Sequence, residues 1–333
     1  MMMLRTLLTL GFAWLLASSG SAADPWLSIP GGEGPGKGKH VVLISGDEEY
    51  RSEEALPMLA KILAKHHGFQ CTVLFAIDPK DGTINPKINN NIPGMDAVKS
   101  ADLVVIFTRF RNLPEKQMKP FDDYLKAGKP IIGLRTSTHA FNFAKGSPYI
   151  EKYQFNNAKG GFGRVVLGET WINHHGHHGV EGTRGIIVKG QENHPILKGI
   201  KSGELFGKTD VYEAKLPMSK DCQPLVLGEV TKTLQADSPA VEGKKNNPMM
   251  PVCWTKTYTW GGPEGKSFTS TLASSQDFEN EPLRHLFVNA CYWCLGMDKQ
   301  IPEKCDVTIV GEYKPSPFKF DGHKRNVKPE DLK

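Results

Sequence analysis

The densest chemistry in the sequence is a run of histidines, NHHGHHG, at residues 173–179. Four imidazoles in five positions, on a loop with two glycines, can turn several ring nitrogens towards one point. Neutral imidazole is the commonest metal ligand, and a catalytic zinc site uses three protein ligands plus an open position. One interpretation is therefore a divalent metal such as zinc, held by His174, His175 and His177. The alternatives are a metal-free site, with His175 and His177 in acid–base catalysis and His178 on the substrate, or a solvated loop.

An acidic cluster forms the second group of candidate residues. It reads GDEEYR at residues 46–51 and follows an apolar run at residues 40–45. Carboxylates at such a position can bind sugar hydroxyls, act as a base or complete a metal shell. We expect Asp47, Glu48 and Tyr50 to bind substrate. The alternative is a charged entry to the next helix, since acidic residues are favourable near a helix N-terminus.

The third group is the polar run RTSTH at residues 135–139, directly after the apolar stretch Ile131–Leu134. Arg135 stands where a strand-to-helix nucleophile would stand, and a guanidinium cannot be a nucleophile. We expect Arg135 and Thr136 to bind substrate and His139 to act as a catalytic residue. The alternatives are a solvated capping loop and a packed histidine. A later group, SSQD at residues 274–277, contains Asp277, which could orient a histidine or cap a helix.

The elements that must position these residues alternate between strand and helix. Apolar runs predict strands, and the spacing of leucines and the breaks at Gly68 and Gly128 predict helices between them. In this rhythm the strands form a parallel sheet, and ligand chemistry lies at their carboxyl edge. The predicted strands of this half are 40–45, 71–76, 102–108 and 131–134.

The second half of the chain is less regular. A final helix is predicted over residues 281–295, with Pro282 in its first turn. No Gly-x-Gly-x-x-Gly follows the first strand, so we expect no nucleotide cofactor. The further predicted strands are 164–167, 184–188, 223–230 and 268–272.

The two ends of the chain have distinct compositions. Residues 1–23 have a basic start, a short apolar core and small residues before Asp24, which is typical of a signal peptide. We therefore expect a periplasmic or secreted protein without stable membrane insertion. Residues 24–38 read as a Gly/Pro-rich linker, residues 39–300 as one α/β domain and residues 301–333 as a polar tail, disordered or laid over the surface.

Charge and cysteine usage restrict the function further. The net charge is +5, with lysines scattered rather than interleaved with aromatics, so we expect no nucleic-acid partner. Six cysteines are too few for a disulfide framework. Cys291 and Cys294 fall late in the final helix, and we favour core packing for both. The alternatives are a structural disulfide, with Cys305 as one partner, and a redox pair.

The order of these motifs resembles the trehalose-utilisation (ThuA-like) family, in particular its exported members from planctomycete-type bacteria. The resemblance is carried by VVLISGDEEYRSEEALPMLAKIL, ADLVVIF, KPIIGLRTSTHAF, NHHGHHG, HPILKGI and LRHLFVNACYWCLGM, in that order. It implies a class I glutamine amidotransferase-like fold: a three-layer α/β sandwich with a mainly parallel, flavodoxin-like sheet. It also implies a role in carbohydrate use, with 3-keto sugars or their glycosides as the substrate class.

The sequence departs from the resemblance at two positions. Arg135 stands where the amidotransferases carry a cysteine, which excludes glutamine amidotransferase activity through that nucleophile. Ala273-Ser274 stands where many family members carry a Gly-His pair. Of the candidate site residues, those of the histidine loop 174–178 match the pattern of the family best, followed by His139.

Two functional hypotheses follow. The first is an exported enzyme, a hydrolase, lyase or isomerase, that acts on a sugar, keto-sugar or glycoside through a histidine-rich crevice. The second is a non-catalytic protein that binds a glycan or another partner on a degenerate enzyme fold. Four aromatic residues could stack on sugar rings or pack in the core: Trp171, Trp254, Tyr258 and Trp260.

Overall fold

The computed structural model describes residues 24–158 and 160–333. The predicted signal peptide, residues 1–23, lies outside the described residues. One sheet contains ten strands: Trp26–Ile29 (β1), His40–Gly46 (β2), Gln70–Leu74 (β3), Leu103–Thr108 (β4), Ile131–Leu134 (β5), Gly182–Ile187 (β6), Leu205–Gly207 (β7), Cys222–Thr231 (β8), Met250–Thr259 (β9) and Glu264–Ser270 (β10). The α-helices are Ser52–His67 (α1), Glu115–Lys126 (α2), Ile150–Tyr153 (α3) and Glu281–Cys294 (α4).

The sheet is mixed, with strand order β1-β3-β2-β4-β5-β10-β9-β8-β6-β7. Strands β3, β2, β4, β5 and β10 run parallel to their neighbours within this group. The other five pairings are antiparallel. The prediction of a mainly parallel, flavodoxin-like three-layer sandwich is therefore wrong. The pattern of apolar residues along a strand identifies its buried faces but not its direction, so the antiparallel half could not be read from it.

Both faces of the parallel strands are buried. In β2, Val41 and Leu43 face one apolar core, which also receives α1 and α4, whereas Val42 and Ile44 face a second core, which receives α2. All four side chains are at most 2% exposed. Each such burial contributes on the order of 1.5–3 kcal/mol. Continuous apolar runs therefore form the centre of the sheet, as expected for parallel strands covered on both sides.

Helix α1 begins and ends at residues with left-handed backbone angles. Arg51 precedes its first turn with φ 61°, and Gly68 follows its last turn with φ 80°. Glycine adopts this conformation without strain, whereas arginine does not. Glu53 and Glu54 lie in the first turn, where the helix dipole favours negative charge.

The segment predicted as a strand at 164–167 is a turn of π-helix, Gly163–Leu167. Side chains from strands of the sheet donate hydrogen bonds to the carbonyl groups of this segment. Trp254 Nε1 donates to the Leu167 carbonyl at 2.6 Å, Thr269 Oγ1 donates to the same oxygen at 2.9 Å, and Ser267 Oγ donates to Val166 at 2.6 Å. These partners lie about 90 to 100 residues away in the sequence. Local pattern therefore could not distinguish this segment from a short strand.

Both ends of the described chain pack onto the domain. The segment predicted as a linker contains β1, which pairs antiparallel with β3. In the C-terminal tail, Ile301, Cys305 and Val307 are at most 8% exposed and join the larger core. The tail therefore lies over the domain and contributes to its core.

The six cysteines are free, and five of them are buried. Cys291 and Cys294 both lie in α4 and are at most 4% exposed, which agrees with core packing. No helix within residues 24–158 and 160–333 is long and apolar enough to cross a membrane.

Candidate functional site

Three turns beyond the carboxyl ends of the parallel strands form the base of the candidate site. They follow β2, β4 and β5, and each contains a non-glycine residue with positive φ: Arg51 (61°), Phe110 (51°) and Arg135 (42°). The turns after β4 and β5 are joined because the Phe110 amide donates to the His139 carbonyl at 3.1 Å. Backbone strain of this kind costs on the order of 1–3 kcal/mol per residue and clusters at functional sites.

The carboxylate of Asp210 is the centre of the polar cluster. One of its oxygens accepts a hydrogen bond from Arg135 Nη2 at 2.7 Å and lies 3.1 Å from His178 Nδ1. The other oxygen lies 2.7 Å from His174 Nδ1. The side chains of Asp210 and Arg135 have no exposed surface, whereas those of His174 and His178 are each about one-third exposed. A buried carboxylate thus orients two imidazoles that reach the surface.

Electrostatics keep this centre charged. Burial alone would raise the pKa of Asp210, but Arg135 and the two imidazoles outweigh it and hold that pKa well below its usual range. His178 lies between two carboxylates, because its Nε2 is 3.2 Å from Glu49 Oε1. Hydrogen bonds to Asp210 and Glu49 raise the pKa of His178 to about 9. His178 is therefore an imidazolium at neutral pH.

Backbone pairing brings Asp210 to the histidine loop. The carbonyl of Val211 accepts hydrogen bonds from the amides of His175 at 2.9 Å and Gly176 at 3.0 Å, and the Glu213 amide donates to Asn173 at 2.9 Å. The chain segment after β7 and the loop after the π-helix are thus held side by side. This contact places a carboxylate 36 residues further along the chain against His174.

Arg135 lies behind the surface of the site. Its guanidinium donates to the carbonyls of Asp210 at 2.7 Å and Thr271 at 2.9 Å and to the Tyr50 hydroxyl at 3.1 Å. The guanidinium carbon of Arg135 is 3.7 Å from the centroid of the Tyr212 ring. Arg135, which is predicted to bind substrate, has no exposed side-chain surface and fixes the position of Asp210.

His139 is 3% exposed and is packed among aromatic rings. Its ring centroid is 5.1 Å from that of Phe110, 5.6 Å from Trp171 and 6.1 Å from Tyr212. Burial and the nearby arginines hold the pKa of His139 well below its usual value. His139 is therefore neutral at physiological pH and lies at the inner wall of the site.

The residues predicted in the acidic cluster separate into two sets. Asp47 is buried, and its carboxylate accepts hydrogen bonds from the Thr136 hydroxyl and from the amides of Glu49 and Tyr50. Burial and the neighbouring Glu48 raise the pKa of Asp47 to about 6. Asp47 and Thr136 therefore join the turns after β2 and β5, behind the surface. Tyr50 is also buried, and its hydroxyl is 3.4 Å from His178 Nδ1.

Glu48 lies nearer the surface, with its side chain 19% exposed. Its carboxylate pairs with Arg109 and with Arg111 Nη2, the latter at 3.0 Å. Arg109 also lies 3.8 Å from Glu49. These charged groups form a polar wall that meets the histidines at Glu49, which lies 3.2 Å from His178.

The structure does not bring all four loop histidines together. His175 turns away, with its Nε2 2.9 Å from the Lys245 carbonyl, and His177 is exposed. Among the described residues, one group could hold a metal ion: His174, His178 and Asp210, whose candidate ligand atoms lie within 4.8 Å of one another. The predicted metal set of His174, His175 and His177 thus shares only His174 with it.

Of the four aromatic residues considered for sugar stacking, Trp171 alone lies at the site. Trp254, Tyr258 and Trp260 are at most 5% exposed and belong to the apolar cores. Asp210 and Arg109 were not predicted as site residues, and Glu49 was predicted only as a member of the acidic cluster, not among the expected substrate-binding residues. The available signal was that Asp210 follows a short apolar strand, as Asp47 does, and Arg109 follows β4 directly.

Comparison with known proteins identifies the family. A family model described as ThuA, trehalose utilisation, matches residues 40–294. A solved ThuA-like protein from Bacteroides uniformis is 12% identical over 80% of this chain and 95% of its own, with a TM-score of 0.45. One from Parabacteroides merdae is 15% identical over 77% and 90%, with a TM-score of 0.43. No curated protein sequence matches significantly. Since the family model covers more than half of the sequence, this chain belongs to the ThuA trehalose-utilisation family.

Proposed function

We propose that this protein is a carbohydrate-processing enzyme that acts on a sugar, keto-sugar or glycoside at the site around Asp210. The trehalose-utilisation family supports the substrate class. The observation that carries the proposal is the buried Asp210 carboxylate shared by Arg135, His174 and His178. A carboxylate on Nδ1 of a histidine fixes the tautomer and stabilises the imidazolium that forms when Nε2 accepts a proton.

His174 is the acid–base group in this proposal. Its Nδ1 faces Asp210, its Nε2 has no hydrogen-bond partner among the described residues, and its side chain is 35% exposed. His174 Nε2 accepts a proton from a substrate O–H or C–H group and returns it later in the cycle. The fixed positive charge of His178 stabilises negative charge that develops on a nearby carbonyl or hydroxyl oxygen. Neutral His139 supplies a second imidazole at the inner wall.

The experiment is turnover of trehalose and of its 3-keto derivative, followed by NMR, for the wild type and two variants. We expect His174→Ala to lower turnover by about 10²–10⁴-fold, the usual range for loss of a general acid or base. His177→Ala is the matched control, because it removes an exposed imidazole from the same loop outside the cluster. Equal activity of His174→Ala and wild type would contradict the proposal. Binding of these sugars without turnover would favour a non-catalytic glycan-binding protein.

A divalent metal such as zinc is a second candidate for this site, favoured by the spacing of His174, His178 and Asp210. Two imidazoles and one carboxylate form a common ligand set for catalytic zinc, with the fourth position left open. A bound metal would polarise a substrate carbonyl. The test is metal content by mass spectrometry of protein without a polyhistidine tag. Metal retained by His175→Ala/His177→Ala and lost by His174→Ala/His178→Ala would support this site, and the reverse pattern would contradict it.

We also infer export, from the composition of residues 1–23. N-terminal sequencing of the protein from its native host should then begin at Asp24. A chain that retains Met1 would contradict export by cleavage.

A further inference from the structure

The C-terminal segment 313–322 reaches the site, although it lies beyond the residues 40–294 that match the family. The Lys319 amide donates to the Glu49 carbonyl at 2.9 Å, and Arg51 Nη2 donates to the Lys319 carbonyl at 3.0 Å. Further back, the Ser316 amide and hydroxyl donate to the carboxylate of Glu54 at 2.6 and 2.8 Å. These bonds hold the segment against the turn after β2, which carries Glu48 and Glu49.

Two phenylalanines of this segment face the site in different ways. The Phe318 ring stacks on Tyr50 with centroids 5.4 Å apart and lies 5.1 Å from the His178 ring. Phe320, by contrast, is 54% exposed, the highest value among the large apolar side chains of the described residues. Its ring lies 5.0 Å from the guanidinium carbon of Arg109. Phe318 is thus a packed wall residue, and Phe320 presents its ring to solvent beside the polar wall.

A series of ring contacts lines the site, and both its first and its last member belong to segment 313–322. The contacts are 4.5 to 5.8 Å between neighbouring ring centroids or between a guanidinium carbon and a ring centroid. The Asp210 cluster lies within this series, since His174 and His178 are members of it. In order, the members are Phe320, Arg109, Phe110, His139, Trp171, His174, His178 and Phe318.

We propose that Phe320, with Arg109 beside it, forms a stacking subsite for a sugar ring, and that segment 313–322 is a specificity-determining wall of the site. The proposal rests on the proposed function for its ligand class. An aromatic face packs against the C–H face of a pyranose ring, and its neighbours supply hydrogen bonds to the hydroxyls. Arg109 has N–H donors next to the Phe320 ring, and Glu48, which forms an ion pair with Arg109, has carboxylate acceptors.

Conformation supports a binding role for Phe320 rather than a packing role. The backbone on either side of its ring is fixed, because Lys319 is bonded to Glu49 and Arg51, and the Gly322 amide donates to the Lys319 carbonyl at 3.2 Å. A ring that is held in place yet more than half exposed contributes little to folding. It is preorganised for a ligand, which lowers the entropic cost of binding.

The test is calorimetric titration with trehalose, maltose and glucose of the wild type, Phe320→Ala, Phe320→Leu and Phe320→Trp. We expect Phe320→Ala to weaken binding of at least one sugar about tenfold, which corresponds to about 1.4 kcal/mol. Phe320→Trp should stay within about threefold of wild type because it retains a flat ring, and Phe320→Leu should behave like Phe320→Ala because it retains only apolar volume. The melting temperatures should agree within about 1 °C, since the ring is exposed.

The same titrations in a His174→Ala background separate this inference from the proposed function. Tenfold weaker binding in His174→Ala/Phe320→Ala than in His174→Ala supports the subsite, even if the wild type turns over none of these sugars. Equal affinities of Phe320→Ala and wild type would overturn it. So would a wild type that binds none of the three sugars, or a Phe320→Leu variant that binds as tightly as wild type.

Discussion

Replacement of Asp210 by asparagine tests the organisation of the site most directly. The substitution keeps the shape of the side chain and removes its charge. In the wild type the carboxylate has no exposed surface and meets the equally buried Arg135 at 2.7 Å. The variant leaves the guanidinium buried opposite a neutral amide, although its bonds to the Asp210 and Thr271 carbonyls remain.

The expected loss of stability is large for one substitution. Breaking a buried ion pair by removing one partner costs about 3–5 kcal/mol, because the remaining charge stays desolvated. Urea unfolding at pH 7 measures this loss. The pKa of Asp210 is held below its ordinary value, so its contribution is present above about pH 4 and is lost as pH falls through the folded-state pKa. The difference between variant and wild type should therefore shrink towards acid pH.

Two further readouts report on the histidines of the same variant. The pKa of His178, about 9 in the wild type, should fall towards 6.5. The hydrogen bond to Asp210 makes the largest contribution to the raised pKa, and in the variant only Glu49 remains as a carboxylate partner. NMR titration of the imidazole resonances measures this change. Turnover should fall by about 10³–10⁴-fold, because the carboxylate that orients His174 is lost.

Asp277→Asn provides the matched control. Asp277 is also buried, but it accepts hydrogen bonds from Thr209 at 2.7 Å and from the Ser274 amide at 2.9 Å rather than from a histidine. It should leave the pKa of His178 unchanged. An Asp210→Asn variant with wild-type stability and an unchanged His178 pKa would refute the assignment of Asp210 as the organising carboxylate.

Three smaller predictions concern the scaffold. Burial raises the pKa of Glu53 to about 7, so its stabilising contribution is present below pH 4.5 and is lost as pH rises through 7. Between pH 5 and 8 the wild type should lose about 2–3 kcal/mol relative to Glu53→Gln in urea unfolding; parallel pH profiles would contradict this. Gly133→Ala should cost about 1–3 kcal/mol by overpacking, because its Cβ would lie 2.6 Å from Leu167 Cδ1; an unchanged melting temperature would show that Leu167 moves freely. Ellman's reagent should label at most Cys222 in the native protein and all six thiols after unfolding; fewer than six would indicate a disulfide.

Several elements could be predicted because their signals are local. The apolar runs at residues 41–44, 103–107 and 131–134 form β2, β4 and β5, because short runs of this kind are typical of parallel strands buried on both faces. The position of the site follows from these strands. Polar residues directly after parallel strands meet at one edge of the sheet, and Asp47, Arg109 and Arg135 do so.

The second half of the sheet could not be predicted in the same way. Strand β9 contains polar residues at Thr255, Lys256 and Thr257 and begins beside Pro251, so its sequence lacks a clear alternation. Its ten residues are ordered by pairing with β8 and β10 on either side. Direction is a property of the pair rather than of one strand, which is why the predicted parallel arrangement fails there.

The sequence by itself determined which residue types were available: a loop with four histidines, an acidic turn and an arginine in place of a nucleophile. Only the tertiary structure decided which of them meet. Backbone pairing of residues 173–176 with 210–213 selects His174 and His178 for Asp210 and turns His175 and His177 away. The physical reason is that side-chain direction in an irregular loop depends on its backbone partners, and these partners lie far away in the sequence.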